Sequence, residues 1–309
     1  MDDSGVAYRD FRRSLAPRYG RIWLQIAAGY AALAGIPAAL VLLDAPFPWS
    51  IAAGVVGALA IGYVLAYLNN FFHEAAHYNL LPDRKRNDRV TNVLMAWLYG
   101  STIADYRRVH YQHHRALGTT RDSENSYFDA LRIRTILAAL FGVRAVKAVR
   151  RRRRVAEIER RRGTRAAERR APELWIALGV VIHLAIAAGL WALGSAAAAL
   201  AWIFGVAFAA PFFIGLRQVL EHRSEDARAD IDYTDVDQGA VTRLFGDGPV
   251  ASTLGSAGFN RHALHHWDPN VSYTRLRDVE TYLLRTPAAP AIRERQTTYS
   301  ETFLRLLEL

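Results

Sequence analysis

The chain has 309 residues, a formal net charge of +10 and no cysteine. Without cysteine there is no disulfide, no cysteine-bound zinc and no iron–sulfur cluster, so any metal must be held by His, Asp or Glu. The mean hydropathy is +0.00, but the apolar residues fall in long runs, which points to a membrane protein whose average is lowered by a strongly basic middle section.

The amino terminus, Met1-Asp2-Asp3-Ser4, has neither a basic start nor a short apolar core with a cleavage site, so no secretory signal peptide is expected. Residues 1–21 are polar and basic, with Arg9, Arg12, Arg13, Arg18 and Arg21. An uncharged run from Ile22 to Leu43 follows, long enough to cross about 30 Å of hydrocarbon. After a short turn at 44–48 a second run, Trp49 to Phe72, leads directly into His73. The polar section 73–172 contains two apolar pieces too short to span, Val90–Ile103 and the amphipathic Leu131–Val149, which read as interfacial helices. Residues 144–170 carry thirteen basic and three acidic residues, a net of +10 equal to that of the whole chain. This run has no aromatic interleaving and directly precedes an apolar stretch. It reads as an anchor on anionic membrane lipid rather than a nucleic-acid site, with a docking surface for an acidic carrier as a third reading. Third and fourth runs cover 174–193 and 194–216. Residues 217–309 are polar again, with turn signals at Gly246-Asp247-Gly248-Pro249 and Asp268-Pro269-Asn270 and helices expected near 274–285 and 290–308.

These elements predict an all-α integral membrane fold. Two hairpins, with spans at about 22–43, 49–72, 174–193 and 194–216, carry a cap made of 73–172 and 217–309, all as one domain. The short loops at 44–48 and 194 carry no basic residue, while the three polar segments are basic, so the positive-inside rule puts both termini and the cap in the cytoplasm, beneath the inner membrane.

The histidines follow the same plan. His110, His113 and His114 fall at i, i+3 and i+4, and His262, His265 and His266 repeat that spacing. His73 and His77 stand at i and i+4. Each cluster is expected to present one imidazole face of a helix. His222 follows the fourth run. Imidazole is a borderline ligand that suits Fe, Zn, Cu and Ni, and nine imidazoles exceed what one ion takes, so two metals are expected. All nine lie on the side that the charge pattern makes cytoplasmic. His183, about nine residues or roughly 13 Å into the third span at a 1.5 Å rise, is too deep to join them and reads as a buried, hydrogen-bonded histidine.

The ordered set HxxxH, HxxHH and HxxHH around two hydrophobic hairpins resembles the membrane fatty-acid desaturase and hydroxylase superfamily, from about Ile22 to Tyr282. The resemblance implies a non-haem di-iron site with O2 as co-substrate. Its ligands would be His73, His77, His110, His113, His114, His262, His265 and His266, and His222 matches a further ligand after the last span. It also implies oxidation of an unactivated C–H bond in a lipid-like substrate, by desaturation or hydroxylation, which diverge after a common carbon radical. Carotenoids and other natural-product precursors fit the same chemistry. Gln218 holds the place of a polar amide one turn before the extra ligand, and Phe259-Asn260-Arg261 resembles the approach to the last box. Gln218, Glu74, Glu221, Asn260 and Asp268 are expected to orient the ligand imidazoles. Two features depart from the family pattern: Glu at the second place of the first box, and Trp267-Asp268-Pro269 after the last. The chain carries no haem domain, flavin fingerprint or cysteine, so electrons must come from a separate donor, a ferredoxin, a cytochrome b5-like protein or a flavoprotein reductase.

His73-Glu74-Ala75-Ala76-His77 also spells HExxH, the zinc-protease motif in which the glutamate is the general base. That reading leaves both HxxHH clusters and His222 unexplained. A non-catalytic metal carrier would place polar groups along the spans, where only His183 stands.

Overall fold

The computed structural model describes residues 1–43, 45–117, 122–124, 131–143, 146, 171–223 and 242–308. All but Val146 of the arginine-rich stretch 144–170 lies outside them.

Among the described residues, four helical segments are long and apolar enough to cross a membrane, each with an 18-residue stretch of mean hydropathy 2.1. They follow two short helical turns of charge-rich sequence, α1 (Tyr8–Arg13), and run as α2 (Tyr19–Leu43), α3 (Trp49–Ala76), α7 (Ala171–Ala192) and a composite fourth segment. The fourth consists of α8 (Ala196–Phe204), a π-helical turn at Gly205–Ala209, and α9 (Ala210–His222). Between α3 and α7 lie α4 (Arg84–Thr91), α5 (Ile103–Ala116) and α6 (Ile133–Leu140); after α9 come α10 (Pro249–Thr253), α11 (His262–Trp267), α12 (Leu276–Leu283), α13 (Ala289–Glu294) and α14 (Tyr299–Leu306).

The spans match the sequence reading in place but not in length. α3 has 28 residues, about 42 Å at 1.5 Å per residue, against about 20 residues needed for the hydrocarbon. The surplus turns carry His73 past the apolar layer, and His77 caps the helix. The fourth segment ends on His222 for the same reason. The break between the last two spans falls at Gly194, with φ +88°, and Ser195 then accepts the Ala198 N–H at 3.2 Å to start α8. The spans meet through small residues. A Cβ on Gly62 of α3 would lie 2.3 Å from the Ala209 Cβ, and one on Gly205 would lie 2.7 Å from Ile61. These contacts let α3 and the fourth segment approach backbone to backbone.

Three expectations need correction. The apolar piece 90–103 is not one helix. α4 runs into a π turn at Asn92–Ala96, Gly100 turns the chain in the left-handed region at φ +59°, and Thr102 caps a new helix by accepting the Asp105 N–H at 3.1 Å. The amphipathic stretch expected as one helix over 131–149 is broken: α6 ends at Leu140, Gly142 turns the chain at φ +80°, Val143 and Val146 are helical again, and the rest of 144–149 lies outside the described residues. The single helix expected at 290–308 is two, α13 and α14, because Thr298 caps the second one afresh.

The amino-terminal segment closes over the last histidine cluster. Tyr8 donates to Asp268 at 3.0 Å, Arg12 pairs with the same carboxylate, and Phe11 stacks on Tyr282 with 4.5 Å between centroids. At the other end, Tyr299 of α14 stacks on Phe245 at 3.9 Å and donates to the Glu221 carboxylate at 3.0 Å. A short parallel pairing, Leu131 with Leu307 and Arg132 with Glu308, ties that end to the start of α6. Beneath the histidines lies a core of Phe71, Phe72, Met95 and Ile103, none more than 1% exposed.

Candidate metal centre

Nine histidines converge where α3, α5, α9 and α11 meet. They divide into two groups: His73, His77, His110, His114 and His265 in one, and His113, His222, His262 and His266 in the other. Within each group one ligand nitrogen or its equivalent per residue lies within 4.8 Å of all the others. Helix geometry explains the division. At 3.6 residues per turn, positions i and i+4 are about 40° apart, whereas i+3 and i+4 are about 100° apart. Each HxxHH helix therefore sends its outer pair to one group and its middle histidine to the other. α5 gives His110 and His114 to the first group and His113 to the second; α11 gives His262 and His266 to the second and His265 to the first. The expectation of a single imidazole face per cluster is thus corrected for both HxxHH segments, because a face wide enough for three rings serves two centres.

The imidazoles aim their Nε2 atoms inward. His77 and His114 bring Nε2 to 2.9 and 2.8 Å from that of His110, and His265 comes to 3.2 Å from His114. In the second group His262 lies 2.8 Å from His222 and 3.1 Å from His266 by the same atoms. Two imidazoles at right angles on one ion, each about 2.1 Å from it, stand about 3 Å apart. Both His73 nitrogens are buried without a hydrogen-bond partner, an arrangement that is costly unless something else satisfies them. The donor set is all nitrogen, and the residues fit a pair of borderline transition ions.

Electrostatics supports neutral ligands. Burial first, and neighbouring imidazoles second, hold His77, His262, His265 and His266 well below the usual histidine pKa and push His114 down too. Neutral imidazole is the form that binds metal. His113 differs. Burial disfavours its charged form, but Glu124, Asp122 and Glu221 outweigh that and raise it.

Two of the carboxylates behind the rings, Asp122 and Glu124, come from a turn just after α5. Asp122 accepts the His113 Nδ1–H at 2.9 and 3.0 Å, and Glu124 stands 3.4 Å from the Nδ1 of His110. Both sit in the turn 122–124, where the Glu124 N–H donates back to Asp122 at 2.7 Å. Burial disfavours the charged form of Glu124, but His113, His110 and Arg217 together hold its pKa down at about 2. Gln218 donates to the other Glu124 oxygen at 2.9 Å and so reaches the histidines through it. Glu74 brings Oε1 to 3.9 Å from the His73 Nδ1, while its Oε2 accepts from Asn79 and from the Tyr273 N–H.

The other three expected orienting groups point elsewhere. Glu221 receives Arg217 at 3.3 Å and Tyr299 at 3.0 Å. Asn260 donates to the Gly246 carbonyl at 2.7 Å, closing a turn. Asp268 receives Tyr8 and Arg12. Glu221, next to His222, projects from another face of α9, while Asn260 and Asp268 lie just outside α11. Phe259 does reach the site. Its ring lies 4.4 Å from His73 and 4.8 Å from His262, one in each group, with the Arg217 guanidinium 3.6 Å from its centroid. His183 stays apart, half-buried between Trp97 and Trp202, with Nε2 3.4 Å from the Leu98 carbonyl.

Fold and site together define a class: a helical membrane protein with four spans and two adjoining all-histidine clusters fit to hold metal. The family model described as Fatty acid desaturase matches residues 48–298, a range that takes in all nine histidines. The chain belongs to the fatty acid desaturase family. No curated protein matches it.

Proposed function

We propose that the protein is a di-iron oxidoreductase that uses O2 to oxidise an unactivated C–H bond of a lipid-like substrate, by fatty-acyl desaturation or hydroxylation. The observation that carries this reading is the division of nine buried or nearly buried histidines into groups of five and four with their Nε2 atoms converging. Two iron ions, when bound, supply the reduction of O2 and the oxidising power needed to remove hydrogen from carbon. His113 and His110 each turn Nδ1 toward a carboxylate, which fixes the tautomer that presents Nε2 to the metal. Burial excludes water from the reacting carbon, and the long apolar spans suit a substrate that arrives from the bilayer. Membrane lipid is therefore both solvent and source. The site lies on the cytoplasmic side in this reading, where a separate electron donor reaches it.

The HExxH protease reading is disfavoured by the same geometry. Glu74 is fully buried and engaged by Asn79 and Tyr273, and both motif histidines belong to the five-histidine group. Metal analysis of purified protein, with product analysis of lipid extracts from cells with and without the gene, tests the proposal. Two irons per chain and an O2-dependent alkene or alcohol are expected. One zinc and peptide cleavage would overturn it.

A further inference from the structure

Between Asp83 and Arg115 the chain has seven basic and three acidic residues. All lie on α4 and α5 or at their ends. Arg107 is taken up by Asp88 at 2.6 Å and Arg108 approaches Asp105 at 3.7 Å, while Asp83 caps α4 through the Arg86 N–H. Arg84, Lys85, Arg86, Arg89 and Arg115 are exposed and have no carboxylate partner among the described residues. Elsewhere on the described cap such arginines, Arg9, Arg134 and Arg293 among them, lie singly, and many others are paired. Around α1 and α12, Arg12 pairs with Asp268, Arg18 and Arg275 with Asp278, and Arg285 with Asp2 and Asp3. Uncompensated positive charge on the described cap is thus concentrated on α4 and its neighbour.

This face also reaches the first histidine group through Tyr111. Tyr78, the residue after His77, holds φ +62°, a conformation unusual for a tyrosine. Its half-buried ring carries the guanidinium of Arg107 at 3.8 Å and that of the exposed Arg84 at 4.8 Å. Tyr111 donates to the Ala76 carbonyl at 3.1 Å and lies 5.4 Å from His77, centroid to centroid. His114, of the same group, is the one histidine of the nine that is only half-buried.

We propose that this face is the docking surface of an acidic one-electron carrier protein, and that Tyr78 and Tyr111 form the short aromatic path from it to His77. The inference rests on the di-iron reading. Converting a C–H bond to an alcohol consumes O2, two electrons and two protons and releases one water; forming an alkene by removing two hydrogens consumes the same and releases two waters. The carrier supplies the two electrons one at a time and is itself oxidised. Charge complementarity steers such a partner and fixes its orientation, and screening by salt weakens the effect.

The test uses full-length, iron-loaded, oxidised protein and measures its reduction by a reduced plant-type [2Fe–2S] ferredoxin, with reduced methyl viologen as a small reductant that needs no docking surface. Arg84→Glu/Lys85→Glu/Arg86→Glu is expected to lower the second-order rate with ferredoxin by about tenfold or more, to remove its decline with salt, and to leave the viologen rate unchanged. Metal-free protein carrying the same change should lose ferredoxin binding. Tyr78→Asn, a residue that tolerates positive φ, should keep that binding and slow the saturating rate. Unchanged ferredoxin rates in the triple variant would overturn the surface, as would a loss seen instead with Arg9→Glu/Arg13→Glu or with glutamines in place of Arg150 to Arg154. Weakened binding to anionic-lipid vesicles with unchanged ferredoxin rates would also overturn it. An unchanged saturating rate in Tyr78→Asn would overturn the path. Wild-type protein that viologen cannot reduce would overturn the di-iron reading itself, and with it the need for a carrier.

Discussion

An imidazole offers two nitrogens, and the group behind the ring decides which one faces a metal. For His113 that group is Asp122, at 2.9 and 3.0 Å from Nδ1. Asp122→Asn should therefore weaken metal binding by roughly 10–100-fold, measured by competition with a chelator. Asp268→Asn serves as the comparison, because its carboxylate holds Tyr8 and Arg12 rather than a histidine; it should lower thermal stability and leave metal affinity near wild type. Equal effects of the two on affinity would contradict the assignment. His222 and His183 make a second pair. Both follow or lie within apolar helices, yet His222 stands 2.8 Å from His262 and His183 faces only the Leu98 carbonyl among these contacts. His222→Ala should lower iron content and abolish product formation. His183→Ala should keep two irons and most activity, at a stability cost of at most about 1 kcal/mol for one long hydrogen bond.

Helices rather than loops set the spacing between the histidine groups, so their packing should be felt at the metal. Gly62→Val places side-chain atoms where a Cβ alone already meets Ala209 at 2.3 Å. Overpacking of this kind costs about 1–3 kcal/mol, and because α3 bears His73 and the fourth segment ends on His222, iron content should fall as well. At Gly54 a Cβ would find Ala197 atoms no closer than 3.6 Å, so Gly54→Ala should be neutral by both thermal melting and iron analysis. What the sequence displays of these elements is mainly their existence. Apolar runs, capping residues and Gly194 locate the spans and their break. The π turns at 92–96 and 205–209 leave no trace in hydropathy, since a one-residue change of winding responds to neighbours across the interface, such as Ile61 against Gly205, and not to local composition.

On the scale of the whole molecule, charge and metal chemistry make one joint prediction. With no native cysteine, single replacements at Asp3→Cys, Arg162→Cys and Glu308→Cys can be labelled cleanly, and all three should react only from the cytoplasmic side. Periplasmic labelling of any one would separate the cap from the reductant supply. The nine histidines were legible because 3.6-residue periodicity and the basic segments point to the same side. Their division into five and four was implicit in the i, i+3, i+4 spacing, but the partner of each pair depends on how α5 and α11 cross, which no local pattern encodes. Asp122 and Glu124 were hard to rank for a related reason: they lie in a turn beyond α5, where no helical repeat ties them to His113 and His110.

The reciprocal sharing of ligands has a consequence for biosynthesis. The five-histidine group needs His265 and the four-histidine group needs His262 and His266, so a nascent chain holds neither complete set until its last box has left the ribosome. On the di-iron reading, metal loading should therefore be a late event that follows synthesis of the last box, and it should not template the first hairpin. A chain stopped after Asn260 should insert its spans yet retain no iron through gel filtration, whereas one extended through Tyr282 should begin to hold it.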